Sequence, residues 1–366
     1  MRAPRRTIAT ALCVAATGCA SVKPATAPAH YFLERNYVFR PKGDTTLLFE
    51  AQTATHVLLT DGLPDAFNTL STDKSKVRAW ALRGLITPMF RVRQLSDSSA
   101  AVRTPSFMPR GSIEALLVHR LGKATGQDHL PAFPGALVSG ARLTVAHHSN
   151  GQAGCFREGF EPVDSRANSC RPIAGADTTT VKLNRANGDF SSTFVNVLLH
   201  STIMNRGGAK IATHTLGAGV GADLHVPGIV GELTDEQREL YGSWRLRAQL
   251  EGMQTWGNAC LDGDAKSASA KFGCRLRGRS RLTLEGERAP DKPGNLGRRI
   301  VPAVVPWRGS VELSHTFDAL LRTGLFVRWH DGQDYYNIGF VNRRTYFAVG
   351  AMMDLSGDHC ICLKQQ

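Results

Sequence analysis

The chain has 366 residues, 42% of them hydrophobic, and a formal net charge of +13. That length holds two ordinary domains or one large β architecture. No stretch reaches the roughly eighteen apolar residues of a transmembrane helix, so the membrane-spanning form left open is a closed barrel. The positive charge fits nucleic acid, an anionic surface or arginines paired inside the molecule, and only placement separates these.

In chain order, Arg2, Arg5 and Arg6 precede a short apolar run over 8–16 and the small-residue stretch Ala16-Thr17-Gly18-Cys19-Ala20-Ser21. This reads as an export signal over 1–21. Its end resembles a lipobox in which Cys19 is lipidated; plain signal cleavage nearby is the other reading. Residues 22–30 form a Pro/Ala tether, 31–358 the main domain and 359–366 a tail.

The main domain alternates apolar and polar residues over runs of about ten, the pattern of a transmembrane strand. The alternation predicts strands over 31–39, 47–57, 77–94, 111–121, 137–149, 193–204, 209–226, 240–251, 275–285, 305–315, 324–330 and 345–354. The expected fold class is all-β, a transmembrane antiparallel β-barrel of about twelve strands, the even number that single-chain bacterial barrels favour. Pro88 inside the third run predicts a bulge or bend. Within 240–251, Trp244, Leu246, Ala248 and Leu250 share one face, and Arg245, Arg247, Gln249 and Glu251 the other. Within 47–57, Leu47, Phe49, Ala51 and Val57 oppose Glu50, Gln52 and His56.

Arginines at period two suit a polar lumen, with Glu50, Glu114, Glu251, Glu285 and Glu312 as partners, and do not suit a nucleic-acid-binding helix face. A soluble β-sandwich with the apolar face as its core is the alternative. Cys155/Cys170 and Cys260/Cys274 lie in polar segments and are the expected disulfides of an exported chain, although spacing alone leaves the connectivity open. Residues 227–239, with Glu232, Asp235, Glu236 and Glu239, read as a solvated acidic outer turn.

One segment carries chemistry. In His147-His148-Ser149-Asn150-Gly151, His147 and Ser149 are two apart, so a strand puts them side by side on one face. That face continues back through Val145, Leu143 and Ala141, and the opposite face carries His148, Thr144 and Arg142. A serine and a histidine at the end of a lipid-facing stripe have a direct use if the substrate is a lipid. Serine needs an adjacent base, and the base needs a third group to orient it. Asn196 on the next strand, with Ser192 on its face, is the candidate; Asn150, Asn187 and Asp189 are rivals.

These residues resemble the outer-membrane phospholipase A family, which carries His-x-Ser-Asn-Gly at a strand end and Ser-x-x-x-Asn at the start of the next. The matching segments here are 147–151 and Ser192 to Asn196. Arg103-Thr104-Pro105-Ser106-Phe107 leading to Glu114, and the hairpin over 324–354 with Trp329-His330-Asp331-Gly332-Gln333, are similar too. The resemblance implies calcium-dependent hydrolysis of glycerophospholipid acyl esters at the outer leaflet of a Gram-negative outer membrane. Ser149 would be the nucleophile, His147 the base and Asn196 the orienting group. It also implies activation by homodimerisation, membrane phospholipids as partners and no nucleic acid. Carried over by position, the calcium ligands would be the Ser192 hydroxyl and the carbonyls of Gln152 and Ser106. The chain departs from the family in having Gln152 in place of an arginine and a long insertion over 151–191. A lipid A deacylase barrel, which would want an acidic third member, and an inert porin-like barrel are the competing readings.

Overall fold

The structure is a computed structural model that describes residues 32–43, 47–96, 102–122, 135–163, 170–184, 187–205, 214–226, 231, 233–256, 277–289, 299–300, 305–320, 322–334 and 343–353. The expected export signal with Cys19, the tether, the Cys260/Cys274 pair and the tail lie outside the described residues.

Among the described residues, the alternating runs form twelve antiparallel strands. They are β1 (Asn36–Lys42), β2 (Leu47–Ala54, resuming as Val57–Asp61), β3 (Arg78–Thr87, resuming as Met89–Leu95) and β4 (Val102–Phe107, resuming as Arg110–Leu121). There follow β5 (Gly135–Ser149), β6 (Ser191–Asn205), β7 (His214–His225) and β8 (Trp244–Trp256). The last four are β9 (Gly278–Arg288), β10 (Trp307–Phe317), β11 (Thr323–Gln333) and β12 (Arg343–Met353). Each pairs with its sequence neighbours, and β12 pairs with β1 from Met353↔Asn36 to Phe347↔Lys42, which closes the barrel. Closure leaves no unpaired edge, as a sheet in hydrocarbon requires. The break in β3 falls at Pro88, whose missing N–H cannot join the ladder.

The two faces separate as the alternation demands. Leu82, Ile113, Leu143, Leu199, Leu216, Val220, Leu250, Leu313 and Val349 point outward and are exposed. The inward face holds Arg83, Arg93, Arg142, Arg245 and Arg281, all buried. All five predicted glutamates pair with these or with neighbouring arginines. Glu50 takes Arg93 at 2.5 Å, Glu114 takes Arg142 at 2.7 Å and Arg83 at 3.3 Å, and Glu312 takes Arg328 at 2.6 Å. Glu251 pairs with Arg281, and Glu285 with Arg247 at 3.9 Å. An exposed apolar girdle around an ion-paired interior is the arrangement of a barrel in lipid, and it excludes the soluble sandwich, which would bury the apolar face.

A β-bulge between Leu47 and Phe49 changes the parity of β2. Leu47 therefore leaves the face of Phe49 expected from strict alternation. It turns inward and packs with Tyr37, Phe39, Phe326 and Tyr346.

The lumen is partly filled. Helix α1 (Leu63–Thr72) starts with Pro64 in its first turn and Asp65 near the positive end of its dipole. Its Leu63, Ala66, Phe67 and Leu70 stripe packs on Ala81, Leu116, Val118, Val138 and Met204 of the inner wall, closing one end. Residues 32–35 cross the middle. The Phe32 carbonyl accepts from Arg142 at 3.0 Å, and Arg35 reaches Glu312 at 2.5 Å and Thr283 at 2.8 Å on the far wall. Among the described residues the interior is thus closed at one end by α1 and crossed by an ion-paired segment, which narrows any passage through it.

Over the other end sits a cap formed by the insertion after β5 and by α2 (Asp235–Tyr241). Phe156, Val181, Leu183, Phe190, Leu233 and Leu240 make its core, and Cys155–Cys170 staples it as expected. The segment expected as a solvated acidic turn is in part this helix. Thr234 and Gln237 form a capping box, and Glu236 pairs with Arg157 at 3.2 Å.

Candidate active site

The capped end of β5 and β6 carries the predicted pair. Along β5, Arg142, Thr144, Ala146 and His148 are buried on the luminal side. Leu143 and Val145 are exposed on the other, and His147 and Ser149 follow on that outward side as half-buried residues. Ser149 lies opposite Ser191 on one neighbour and Phe107 on the other. The exposed Phe107 and Val145 give the pair an apolar frontage facing lipid.

Depth follows from strand geometry. His147 stands level with Thr193, and Asn205 ends the same strand below. At ~3.3 Å per residue and ~40° tilt, those ends differ in height by about 30 Å, one hydrocarbon thickness. A hydrocarbon slab with its lower face at Asn205 would have its upper boundary at this pair.

His147 is held from three directions. Its backbone N–H donates to Pro109 at 3.0 Å. Its Nδ1 lies 3.1 Å from the Thr193 hydroxyl, which is buried. The backbone of Gly231, at φ +66°, passes so close that a Cβ there would meet His147 Cε1 at 2.8 Å and Ser191 Oγ at 1.8 Å. Only glycine fits that place and that backbone angle.

Asn150 joins the site to the cap. Its Nδ2 donates to Gly188 at 2.8 Å, and its Oδ1 accepts from Phe190 at 3.0 Å and Gln152 at 3.2 Å. The chain then turns out at Gly151 with φ +64°, which glycine adopts without strain. Asp189 donates its N–H to Gly154 at 2.8 Å, and burial pushes its carboxyl above the usual carboxylate range.

The other predicted site residues lie elsewhere. Asn196 is not beside His147. It is opposite Thr144 on the luminal face, where its Nδ2 donates to Asp223 at 2.5 Å. The cause is parity: Asn196 is three residues from Thr193, and an odd step along a strand crosses the wall. Ser192 shares Asn196's face, as expected, but that face is luminal, and its Oγ lies 2.6 Å from His225 Nδ1. Ser106 is fully buried with its hydroxyl 3.1 Å from His148 Nε2. Gln152 donates its N–H to Asn150 at the base of the cap. Of the rivals, Asn150 is bound to cap backbone, and Asn187 accepts from Asn184 at 2.7 Å. Behind the wall is a separate luminal cavity of about 220 Å³, lined in part by Arg110, His148, Phe194 and His225.

The calcium set implied by the resemblance does not fit this arrangement. Ser192, its one side-chain donor, is turned into the lumen and engaged by a histidine, with the barrel wall between it and Ser149. Calcium needs six to eight oxygens around one point. Among the described residues no group of three or more His, Cys, Asp or Glu converges on a metal position.

Thr193, Ser191 and Gly231 were not anticipated. Which residue faces His147 depends on strand register, and the long insertion hides that register from sequence spacing.

No family model matches the sequence, and no curated protein matches it. Among solved structures, outer membrane phospholipase A from Escherichia coli is similar, with 12% identity, a TM-score of 0.41, and 91% of this chain and 99% of that one covered. A calcium-bound dimer of the Salmonella typhi outer membrane phospholipase has the same identity and TM-score, with 91% and 97% covered. OccK7 (OpdD) of Pseudomonas aeruginosa has 11% identity and a TM-score of 0.24, with 88% and 98% covered. Likeness of this degree assigns no chemistry to individual residues.

Proposed function

We infer that this membrane β-barrel is an outer-membrane hydrolase that cleaves acyl esters of glycerophospholipids. The observation that carries the reading is the outward placement of His147 and Ser149 at the head of an apolar strand face, at the height expected for the membrane boundary. A soluble substrate would not call for that placement. A bilayer lipid would, because its ester bonds lie at this depth and its acyl chains lie along Phe107, Val145 and Leu143.

In this reading Ser149 Oγ attacks the ester carbonyl while His147 takes its proton. His147 then returns the proton to the departing lysophospholipid oxygen, and water resolves the acyl-enzyme by the reverse sequence. No step is assigned to calcium, since the residues carried over for it do not meet. The segment 32–35 crossing the lumen and α1 closing one end disfavour the porin-like reading.

Ser149→Ala and His147→Ala should each lower phospholipid hydrolysis in mixed micelles by at least about a thousandfold. Heat-modifiable gel mobility, which reports a folded barrel, should stay as in the parent. A fluorophosphonate label should map to Ser149. Parent-level hydrolysis by both variants would refute the assignment.

A further inference from the structure

His147 needs a group that holds its ring and its tautomer, and Asn196 is on the wrong side of the wall to supply one. Thr193 stands directly opposite His147 in register, on the same outward face. Its Oγ1 lies 3.1 Å from His147 Nδ1. It is 4% exposed, so water does not compete freely for that bond. Gly231 closes over the ring at Cε1 and keeps it from swinging away.

We propose that Thr193 is the positioning residue of this hydrolase, the third member of a Ser149–His147–Thr193 array. The proposal rests on the Ser149/His147 reading above. The threonine oxygen accepts the proton carried on Nδ1. That leaves Nε2 bare, the state in which the ring takes the proton of Ser149. A hydroxyl is neutral and can also donate, so it holds the tautomer less firmly than a carboxylate and gives the imidazolium less electrostatic support. It suits a boundary site, where an uncompensated carboxylate next to hydrocarbon would be costly. A β-branched residue also has restricted χ1, so the hydroxyl is aimed by the backbone itself.

The chemistry predicts how the array responds to change. Thr193→Val keeps the shape and removes the acceptor. It should lower kcat by about ten- to a hundredfold with little change in KM, because the bond matters most when the ring is charged. Losing an acceptor that favours the protonated ring should also move the acid limb of the pH–rate profile down by about half a unit. Thr193→Ser and Thr193→Asn, which restore an acceptor, should recover activity to within a few-fold and return the limb. Asn196→Ala should leave the limb in place.

The test is a pH–rate series on the full chain in phosphatidylcholine/detergent micelles for these variants, with Ser149→Ala alongside and heat-modifiable mobility as the folding control. Thr193→Ala gives the same reading should the valine variant fail to fold. The expected result is the kcat loss, the shifted limb and the rescue together. If Ser149→Ala is inactive while Thr193→Val and Thr193→Ala match the parent in kcat and acid limb, the positioning role is overturned and the hydrolase reading stands. A kcat loss with an unmoved limb, or one that serine fails to rescue, also overturns it, since that marks a packing role. Activity in Ser149→Ala overturns the reading beneath it.

Discussion

Asn150 offers the sharpest test of how the cap serves the site. It is 2% exposed and satisfies three backbone groups: the Gly188 carbonyl and the N–H groups of Phe190 and Gln152. Asn150→Ala removes all three bonds at once in a place that water does not easily enter. At about 1 kcal/mol net for each, the cap loses on the order of 3 kcal/mol. That is roughly a hundredfold in the ratio of docked to undocked cap. The barrel does not depend on these bonds, because β5 and β6 stay paired along their length from Ser149↔Ser191 to Gly135↔Asn205. Hydrogen exchange on the folded protein should therefore show the Phe190 and Gln152 amides and the Phe156–Leu183 core opening about a hundredfold more often. Strand amides at Leu199 or Val220 should be unchanged. Hydrolysis should fall with the docked fraction, because Ser149 is the last residue of β5 and Asn150 follows it directly. Exchange of the cap amides within twofold of the parent would refute the claim that this side chain docks the cap.

Three further outcomes follow from the same geometry. Removing the Cys155–Cys170 bridge, which spans 15 residues, should loosen the cap by about 3 kcal/mol in the chain-entropy account, measured as faster proteolysis within 151–190 with unaltered barrel mobility on gels. Glu114→Ala would leave Arg83, Arg142 and His200 facing one another in the lumen, costing about 3–5 kcal/mol; an unchanged denaturant midpoint would show that the network is not holding the wall. Burial raises the Asp189 carboxyl above its unfolded value, so its contribution to the cap is complete below the unfolded value and is lost as pH rises through the folded one. Asp189→Asn should thus tighten the cap at pH 7 and progressively less toward acid, read by hydrogen exchange at several pH values; an equal effect at every pH would contradict the sign.

The strands were legible because alternation at period two is a local property. Each residue's neighbours two along decide whether it meets lipid or lumen, so the interior glutamates and the outward face of His147 and Ser149 could be read from β5 and its fellows alone. The sequence offered the cap staple as the local pairing of two cysteines 15 apart in one polar excursion but left the connectivity open, and the structure closes it. Both α1 and α2 carry local signals in the sequence: the Leu63, Ala66, Phe67, Leu70 spacing around Pro64, and the Thr234/Gln237 capping box.

What crosses from strand to strand was not legible. A bulge moves Leu47 to the other face, and no propensity announces it. The partner of His147 depends on how the insertion over 150–190 folds before β6 begins, and a register differing by one residue exchanges the two faces of that strand. The sequence by itself determined that a serine and a histidine stand together on the lipid side of one strand, because their spacing matches the strand repeat. Only the tertiary structure decided that Thr193, and not Asn196, stands beside them, because register is settled by the packing of the cap and the ladder and not by either strand alone.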